Sequence, residues 1–174
     1  MTGAAPVVPS FPAGYEPVTA DFNTWVQAPF TSLTSRVVFR AVKTTAQSIS
    51  ASVNTAIAFD TILEDPYSGW NAGSSTWTPP AAWSGTYIVA VGVFSAAVSG
   101  ARLLATIGLN GGPLYTVSSV WTNNGVPNGA CGEAPVQLVG GQDQVAAYAY
   151  CSSAVALDTT AGQQCTLEIG WYSN

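Results

Sequence analysis

Histidine is absent from the 174 residues of this chain, and its absence removes several kinds of chemistry at once. Without an imidazole the chain cannot form a Ser–His or Cys–His pair for nucleophilic catalysis. The commonest metal ligand of proteins is missing as well. No glycine-rich phosphate loop replaces them, because the stretch GLNGG has neither the lysine nor the following helix that such a loop needs. We therefore expect no catalytic residues, no metal site and no cofactor.

Charged side chains are also scarce. They make up 7% of the chain, where roughly 25% is usual in globular domains, and four basic against nine acidic residues give a net charge of −5. A surface of this sign repels phosphate backbones, so we expect no nucleic-acid partner. So few charges suit a protein that covers much of its surface in an assembly.

Two further absences bear on location and redox chemistry. No run of 18 apolar residues occurs, so we expect no membrane span. The first 14 residues lack the basic region and apolar core of a secretory signal, so we expect synthesis in a cytoplasm, whatever the final location of the protein. The cysteines Cys131, Cys151 and Cys165 form no C-x-x-C pair. They are either buried free thiols or include a Cys151–Cys165 bridge.

Residues 1–35 differ in texture from the rest of the chain. Four prolines among the first 17 residues predict an extended arm. A short helix should follow, because Phe22, Trp25, Val26 and Phe30 recur at helical spacing and form one apolar stripe. That stripe either packs on its own domain or anchors the chain to a partner.

From residue 36 onward, short β-type runs alternate with turn formers. The pattern predicts an all-β sandwich domain over residues 36–174, with about eight to ten antiparallel strands. The expected strands are 36–43, 56–63, 86–95, 102–109, 114–121, 135–139, 144–151 and 165–172, with 46–53 as a short addition. The sequence LNGG at 109–112 predicts a tight hairpin, and residues 122–134 predict a long loop.

The stretch TYIVAVGVF at 86–94 has no polar face, although a strand alternates its side chains between two faces. One face would line the sandwich core and the other would need a second cover. We expect another copy of the chain to supply it, which makes the protein an obligate homo-oligomer. The residues expected at this contact are Tyr87, Val89, Val91, Val93, Tyr148, Tyr150 and Trp171. The face that lies on the assembly axis is left open, since a register error of one residue exchanges the two.

The order of these segments resembles the trimeric jelly roll of the tumour-necrosis-factor and complement globular-head superfamily. The matching positions are Phe59–Asp60, Trp77 to Pro80, Gly85 to Tyr87 and Gly141 to Val145. The resemblance covers about residues 36–174 and implies a homotrimer with an aromatic-rich threefold axis.

The N-terminal piece resembles the leader of structural proteins of tailed bacteriophages, especially those of actinobacterial phages. The match rests on Gly14, Thr19, Asp21 and Asn23. It implies a virion location and a contact with the major capsid protein or a tail protein. The residues that would make this attachment are Phe11, Tyr15, Phe22, Trp25, Val26 and Phe30.

Two kinds of side chain could form a ligand site. Asp60, Glu64 and Asp65 could bind calcium, but we favour solvated turn charges, since calcium needs six or more oxygen ligands. Trp70, Trp77 and Trp121 could stack on sugar rings, although aromatics near loops more often close the ends of a sandwich.

Two functions follow from these observations. The first is a non-enzymatic capsid decoration protein, a trimeric knob that binds and stabilises a phage shell. The alternative is a tail-tip or fibre-tip module that binds host glycan. Neither the host nor the docking partner follows from the sequence.

Overall fold

The computed structural model describes residues 37–123, 128–160 and 162–173, and these form thirteen β-strands and no helix. The strands are β1 Val37–Val42, β2 Ser48–Ile49, β3 Thr55–Ala56, β4 Thr61–Glu64, β5 Trp70–Asn71, β6 Thr76–Trp77, β7 Gly85–Ser95, β8 Arg102–Leu109, β9 Gly112–Trp121, β10 Asn128–Leu138, β11 Val145–Cys151, β12 Val155–Ala156 and β13 Thr166–Ser173. The helix-length apolar segment that a membrane crossing requires does not occur in this described part.

Two antiparallel sheets form the sandwich. The five-stranded sheet has the order β10–β7–β13–β1–β4, and the six-stranded sheet has the order β5–β6–β11–β8–β9, with β3 also paired to β11. Strands β12 and β2 form a small separate ribbon. The antiparallel sandwich predicted from the sequence is therefore confirmed.

The core lies between the inner faces of the two sheets. Strand β7 contributes Tyr87 and every second residue up to Val93, and strand β8 contributes Leu103, Ala105 and Ile107 from the opposite sheet. All these side chains are fully buried, which follows from the period-two alternation of a strand. Trp77 closes the core at one end, with its ring centroid 5.9 Å from that of Tyr87.

The hairpin predicted at LNGG is confirmed. Asn110 and Gly111 have φ angles of 51° and 84°, the left-handed pair that a two-residue turn of this kind needs. The turn is also tied to the next strand, since the Asn110 side chain donates to Asp143 Oδ1 at 2.8 Å and accepts from the Gln144 backbone N–H at 2.9 Å.

The loop predicted over residues 122–134 is wrong in its second half. Strand β10 begins at Asn128 and pairs with β7 along its whole length, from Asn128 opposite Ser95 to Leu138 opposite Gly85. Asn128, Gly129 and Gly132, which suggested a loop, are tolerated because β10 is an edge strand. Pro135 leaves no neighbouring strand without a hydrogen bond there.

The single strand predicted over residues 56–63 is two strands in different sheets. Strand β3 pairs with β11 in the six-stranded sheet, and β4 pairs with β1 in the five-stranded sheet. Ile57 and Phe59 are both buried where the chain crosses between them. Their alternation therefore continues through the crossing, which is why the sequence pattern resembles one strand.

The two ends of the sandwich differ in what they carry. At one end, which we call the Val37 end, β1 begins, β13 finishes and the Asn110–Gly111 turn lies. At the other, which we call the Trp121 end, β7 and β9 finish and β8 begins. Val37 thus lies at the end of the sandwich opposite Trp121.

Candidate assembly and binding surfaces

On the outer face of the five-stranded sheet, strand β7 carries no charged side chain. We call this outer face the β7 face, after Ile88, Ala90, Gly92 and Phe94, which point away from the core. Gly92 has no room for a side chain, since an added Cβ would lie 2.6 Å from Thr166 Oγ1. The result is a flat surface of small and apolar groups. Exposing such apolar groups to water is unfavourable, whereas burying them against a second protein surface is favourable.

One row of charges crosses the β7 face. Arg40 Nε donates to Glu168 Oε2 at 3.1 Å, and both side chains are about two-fifths exposed. Glu64 lies opposite Arg40, while Glu133 and Glu168 lie on either side of Ala90. Of these three carboxylates, only Glu168 is within ion-pair distance of Arg40 in the described residues. An exposed pair of this kind contributes little to the stability of one chain.

Cys131 lies on the β7 face beside Gly92 and is the one exposed thiol among the three cysteines. Partial burial raises the pKa of its thiol, and a hydrogen bond with the Val93 backbone opposes the rise. Cys151 and Cys165 are buried free thiols, and burial raises the pKa of Cys165 to about 11. The prediction of buried free thiols is thus confirmed for these two and wrong for Cys131. The alternative of a Cys151–Cys165 bridge is also wrong.

An ion pair between a buried lysine and a partly exposed aspartate fixes the connection between β1 and β4. Lys43 is only 5% exposed, and its Nζ donates to Asp60 Oδ2 at 2.5 Å. Asp60 also accepts hydrogen bonds from the backbone N–H groups and hydroxyls of Thr44 and Thr45. Burial alone would raise the pKa of Asp60, but these donors outweigh it and hold that pKa well below its usual range. Asp60 is therefore a structural carboxylate.

Asp65 has a similar structural role at the Val37 end. Its carboxylate accepts from the backbone N–H groups of Gly69 and Trp70, each at 3.0 Å, and from Trp77 Nε1 at 3.3 Å. Across the ranges that the structure describes, no three His, Cys, Asp or Glu side chains are grouped so that they could hold a metal ion. The geometry thus gives Asp60 and Asp65 partners other than the calcium ion considered above.

A second surface lies on the outer face of the six-stranded sheet, at the Trp121 end. Trp121 is 71% exposed and stands directly opposite Arg102 on the neighbouring strand. Arg102 Nε donates to Ser119 Oγ at 3.0 Å, and Ser119 in turn lies opposite Leu104, whose other neighbour is Tyr150. We call these five residues the Trp121 patch. It is an open platform rather than a cleft.

The residues predicted at the oligomer contact lie in three separate places. Tyr87, Val89, Val91 and Val93 are fully buried in the core of a single chain, so no second chain can touch their side chains. The prediction that these four residues lie at the oligomer contact was therefore wrong, because their side chains form the core. The alternate residues from Ile88 to Phe94 are the ones that lie on the outer face. That the strand contacts another subunit stays a prediction.

The other three contact residues lie on different surfaces again. Tyr148 and Tyr150 are half-buried on the outer face of the six-stranded sheet, which points away from the β7 face. Trp171 belongs to β13 at the Val37 end, where its ring centroid lies 5.4 Å from that of Trp83. A single flat contact cannot include both tyrosines and the β7 face.

The three tryptophans considered for sugar stacking also differ. Trp77 is fully buried, so its assignment to a binding surface is wrong. Trp70 packs on Phe39, with ring centroids 5.2 Å apart and planes at 21°, which supports its alternative role as an end plug. Trp121 alone of the three presents its ring to solvent.

The proposed attachment residues lie outside the described residues. These are Phe11, Tyr15, Phe22, Trp25, Val26 and Phe30. The extended arm and the short helix predicted for residues 1–35 fall in the same segment. They remain predictions.

The sequence-based interpretation missed Ile88, Phe94 and Arg102. The two apolar residues were noted as the second face of β7 but assigned to the core. Arg102 marks the outer side of β8 only, because β7 belongs to the other sheet. Arg102 was missed because its position beside Trp121 depends on the register of the β8–β9 pairing, which the sequence does not give. Trp121 was noticed without that register because an exposed tryptophan is itself a candidate for sugar binding.

No family model matches the chain, and no curated protein matches it either. Solved structures do match. The globular domain of zebrafish complement 1qA protein aligns with a TM-score of 0.55 at 16% identity, over 78% of this chain and 98% of that one. Murine APRIL at pH 8.0 aligns with a TM-score of 0.55 at 14% identity, over 77% and 98%. The fold is a jelly roll of the tumour-necrosis-factor and complement type.

A third structure supports the same conclusion for the jelly roll. The Eiger TNF from S. frugiperda aligns with a TM-score of 0.50 at 10% identity, covering 80% of this chain and 95% of that one. The resemblance stated from Phe59–Asp60, Gly85 to Tyr87 and Gly141 to Val145 is therefore confirmed at the level of fold. None of these structures is a phage protein, so the virion location stays an untested prediction.

Proposed function

We propose that this jelly roll is a non-enzymatic structural head that assembles as a homotrimer through the β7 face. The observation that carries the proposal is the surface itself. Ile88, Ala90, Gly92 and Phe94 form an uncharged strip along strand β7, and a single chain covers Ile88, Ala90 and Phe94 only in part. The likeness to tumour-necrosis-factor and complement heads supports a threefold assembly, because that superfamily is trimeric.

Small residues favour such a contact between β-sheets. Gly92 and Ala90 let two backbones approach closely, and Phe94 supplies a large apolar group at the edge of the strip. The charged row can also contribute to the contact, since an arginine of one copy can pair with a glutamate of the next. In the trimer, Arg40 has the carboxylate of Glu133 available from a neighbouring copy as well as its own Glu168.

The finer proposal is a bacteriophage capsid decoration protein held to the shell by residues 1–36. It is supported by the resemblance of Gly14, Thr19, Asp21 and Asn23 to phage leaders, and by the position of Val37 at one end of the sandwich. Segments that leave three copies at the same end can bind one shell together, which raises avidity without new contacts.

The experiment measures mass and virion binding on the same proteins. Light scattering on the full chain should give three copies per particle at micromolar concentration. A variant that lacks residues 1–18, and a Trp25→Ala variant, should keep that mass and its melting temperature but lose binding to virions. A folded monomer for the full chain contradicts the trimer. Trimers that bind virions equally well without residues 1–18 contradict the attachment.

The second candidate function is a glycan-binding tip. The observation that favours it is Trp121, whose indole is mostly exposed at the end of the jelly roll opposite Val37. A trimer that uses the β7 face would leave the outer face of the six-stranded sheet free. Copies per virion separate the two candidates, since hundreds of copies indicate a shell protein and a few indicate a tail tip.

A further inference from the structure

We infer that the Trp121 patch binds an acidic saccharide, with Trp121 under the sugar ring and Arg102 on its carboxylate. The inference rests on the second candidate function and names its ligand class. It uses only Arg102, Leu104, Ser119, Trp121 and Tyr150, all of which lie on one sheet face.

The exposed indole is the first element of the site. Trp121 has the largest exposed fraction of any large apolar side chain in the described residues, and it projects from a paired strand rather than from a loop. An indole held on a strand loses little conformational freedom when a ligand covers it. The C–H groups on one face of a sugar ring suit the electron-rich face of such a ring.

Arg102 is the second element. Of the cationic side chains in the described ranges, Arg40 and Lys43 have carboxylate partners, and Arg102 has none within ion-pair distance. Its one side-chain hydrogen bond runs from Nε to Ser119 Oγ, so the terminal amino groups remain for a ligand. Ser119 thereby holds the guanidinium in place. A planar guanidinium fixed in this way matches a carboxylate with two parallel hydrogen bonds.

The spacing of the two elements fits a sugar. Arg102 and Trp121 are a directly opposed cross-strand pair, so their side chains leave the sheet side by side at about 5 Å. The patch spans the three strands β11, β8 and β9, a width of about 10 Å. That area accepts roughly one or two sugar rings. Tyr150 adds a hydroxyl near the far side.

A peptide fits the patch less well than a saccharide. Peptides bind β-sheets by adding a strand to a free edge, and the edge strand β9 is interrupted by two irregularities, near Thr106 and near Gly108 on its partner β8. The middle of β9 also touches β10, since an added Cβ at Gly132 would lie 2.5 Å from Val117 O.

Because the protein has a net charge of −5, a measured preference for an acidic saccharide over its neutral form would test the role of Arg102 sharply. The protein as a whole repels an anion, so tighter binding of an acid than of its neutral ester requires a local cation. Arg102 is the only group in the patch that can supply it.

The experiment uses the full chain and calorimetric titration with trigalacturonic acid and its fully methyl-esterified form, after a screen against an array of acidic and neutral oligosaccharides. The acid should bind about tenfold more tightly than the ester. Arg102→Gln should remove that difference, and Trp121→Ala should weaken both ligands about tenfold. Tyr115→Ala, which truncates another exposed aromatic of β9, is the matched control and should bind like the parent chain.

Each other outcome has a definite meaning. Equal binding of acid and ester, or unchanged binding in Arg102→Gln, overturns the acidic ligand while the glycan-binding candidate stands. Binding that survives Trp121→Ala overturns the site. Absence of binding to every acidic and neutral member of the array overturns both the inference and the glycan-binding candidate. Binding of triglutamate, where no saccharide of the array binds, assigns the patch to an acidic peptide instead.

Discussion

Replacing Ile88 by aspartate should separate the trimer into folded monomers. Ile88 is half-buried on the β7 face of one chain, between Pro135 and Gly170 on the adjacent strands. Neither neighbour can pair with a carboxylate, and Arg40 already binds Glu168. In a monomer the new carboxylate reaches water, so the change should cost about 1 kcal/mol of folding free energy from lost apolar burial.

The cost in the trimer is much larger, because three unpaired carboxylates are then buried in one contact. We take about 2–4 kcal/mol for each, which is the usual penalty for burying a group of this kind without a partner. Three copies raise the free energy of assembly by about 6–12 kcal/mol. At about 1.4 kcal/mol for each factor of ten, the trimer dissociation constant should rise by about four to eight orders of magnitude.

Tyr150→Asp is the matched control, because it places the same carboxylate on a half-buried position of the opposite sheet. It should remain trimeric. Light scattering across a concentration series, with circular dichroism to verify folding, measures both variants. A trimeric Ile88→Asp with an unchanged melting temperature would refute the assignment of the contact to the β7 face. Dissociation caused by Tyr150→Asp alone would move the contact to the six-stranded sheet.

Three further predictions concern the single chain. Asp60→Asn should lower stability at pH 7 by about 2 kcal/mol because its lysine partner is buried, whereas Glu168→Gln should cost less than about 1 kcal/mol at its exposed pair. The folded-state pKa of Asp60 is depressed, so its contribution is complete above the unfolded-state pKa of about 4 and is lost as pH falls below it. Urea titrations from pH 7 to pH 2 should therefore show the free energies of unfolding of the parent chain and of Asp60→Asn converging in acid. A difference between them that stays constant with pH would contradict the ion pair. Gly108→Ala should cost about 1–3 kcal/mol, because the added Cβ would lie 2.2 Å from the Tyr148 ring, and Tyr148→Ala should relieve most of that cost in a double-mutant cycle. In the folded Ile88→Asp monomer, Cys131 should react with a thiol reagent while the two core cysteines react only after unfolding, and three reactive thiols in that folded protein would contradict the burial.

The sequence predicted the sandwich because its signal is local. The alternation in β7 and β8, and the Asn110–Gly111 pair, each act within a few residues. The resemblance carried the prediction further, from strands to a jelly roll. The first part of β10, residues 128–134, was missed because its glycines are weak strand formers and its extended conformation depends on pairing with distant β7.

The candidate surfaces were harder to predict, because both depend on register and on which face is inside. A strand such as β7 is apolar on both faces, so period two alone does not say whether Tyr87 or Ile88 is buried. Arg102 and Trp121 are 19 positions apart and become neighbours only through the β8–β9 pairing. Their joint chemistry is a tertiary property.

The pairing of β1 with β13 also determines when this protein can fold during its synthesis. Arg40 and Glu168 are 128 positions apart, and β13 lies between β1 and β7 in the sheet. A ribosome that has already released β1 must therefore synthesise almost the whole jelly roll before the strand that joins β1 to β7 emerges. Until then β1 has only the short strand β4 as its neighbour, and the apolar inner face of β7 lacks one of its flanking strands. Closing so long a loop is slow, so the nascent chain depends on protection from aggregation until its last residues appear.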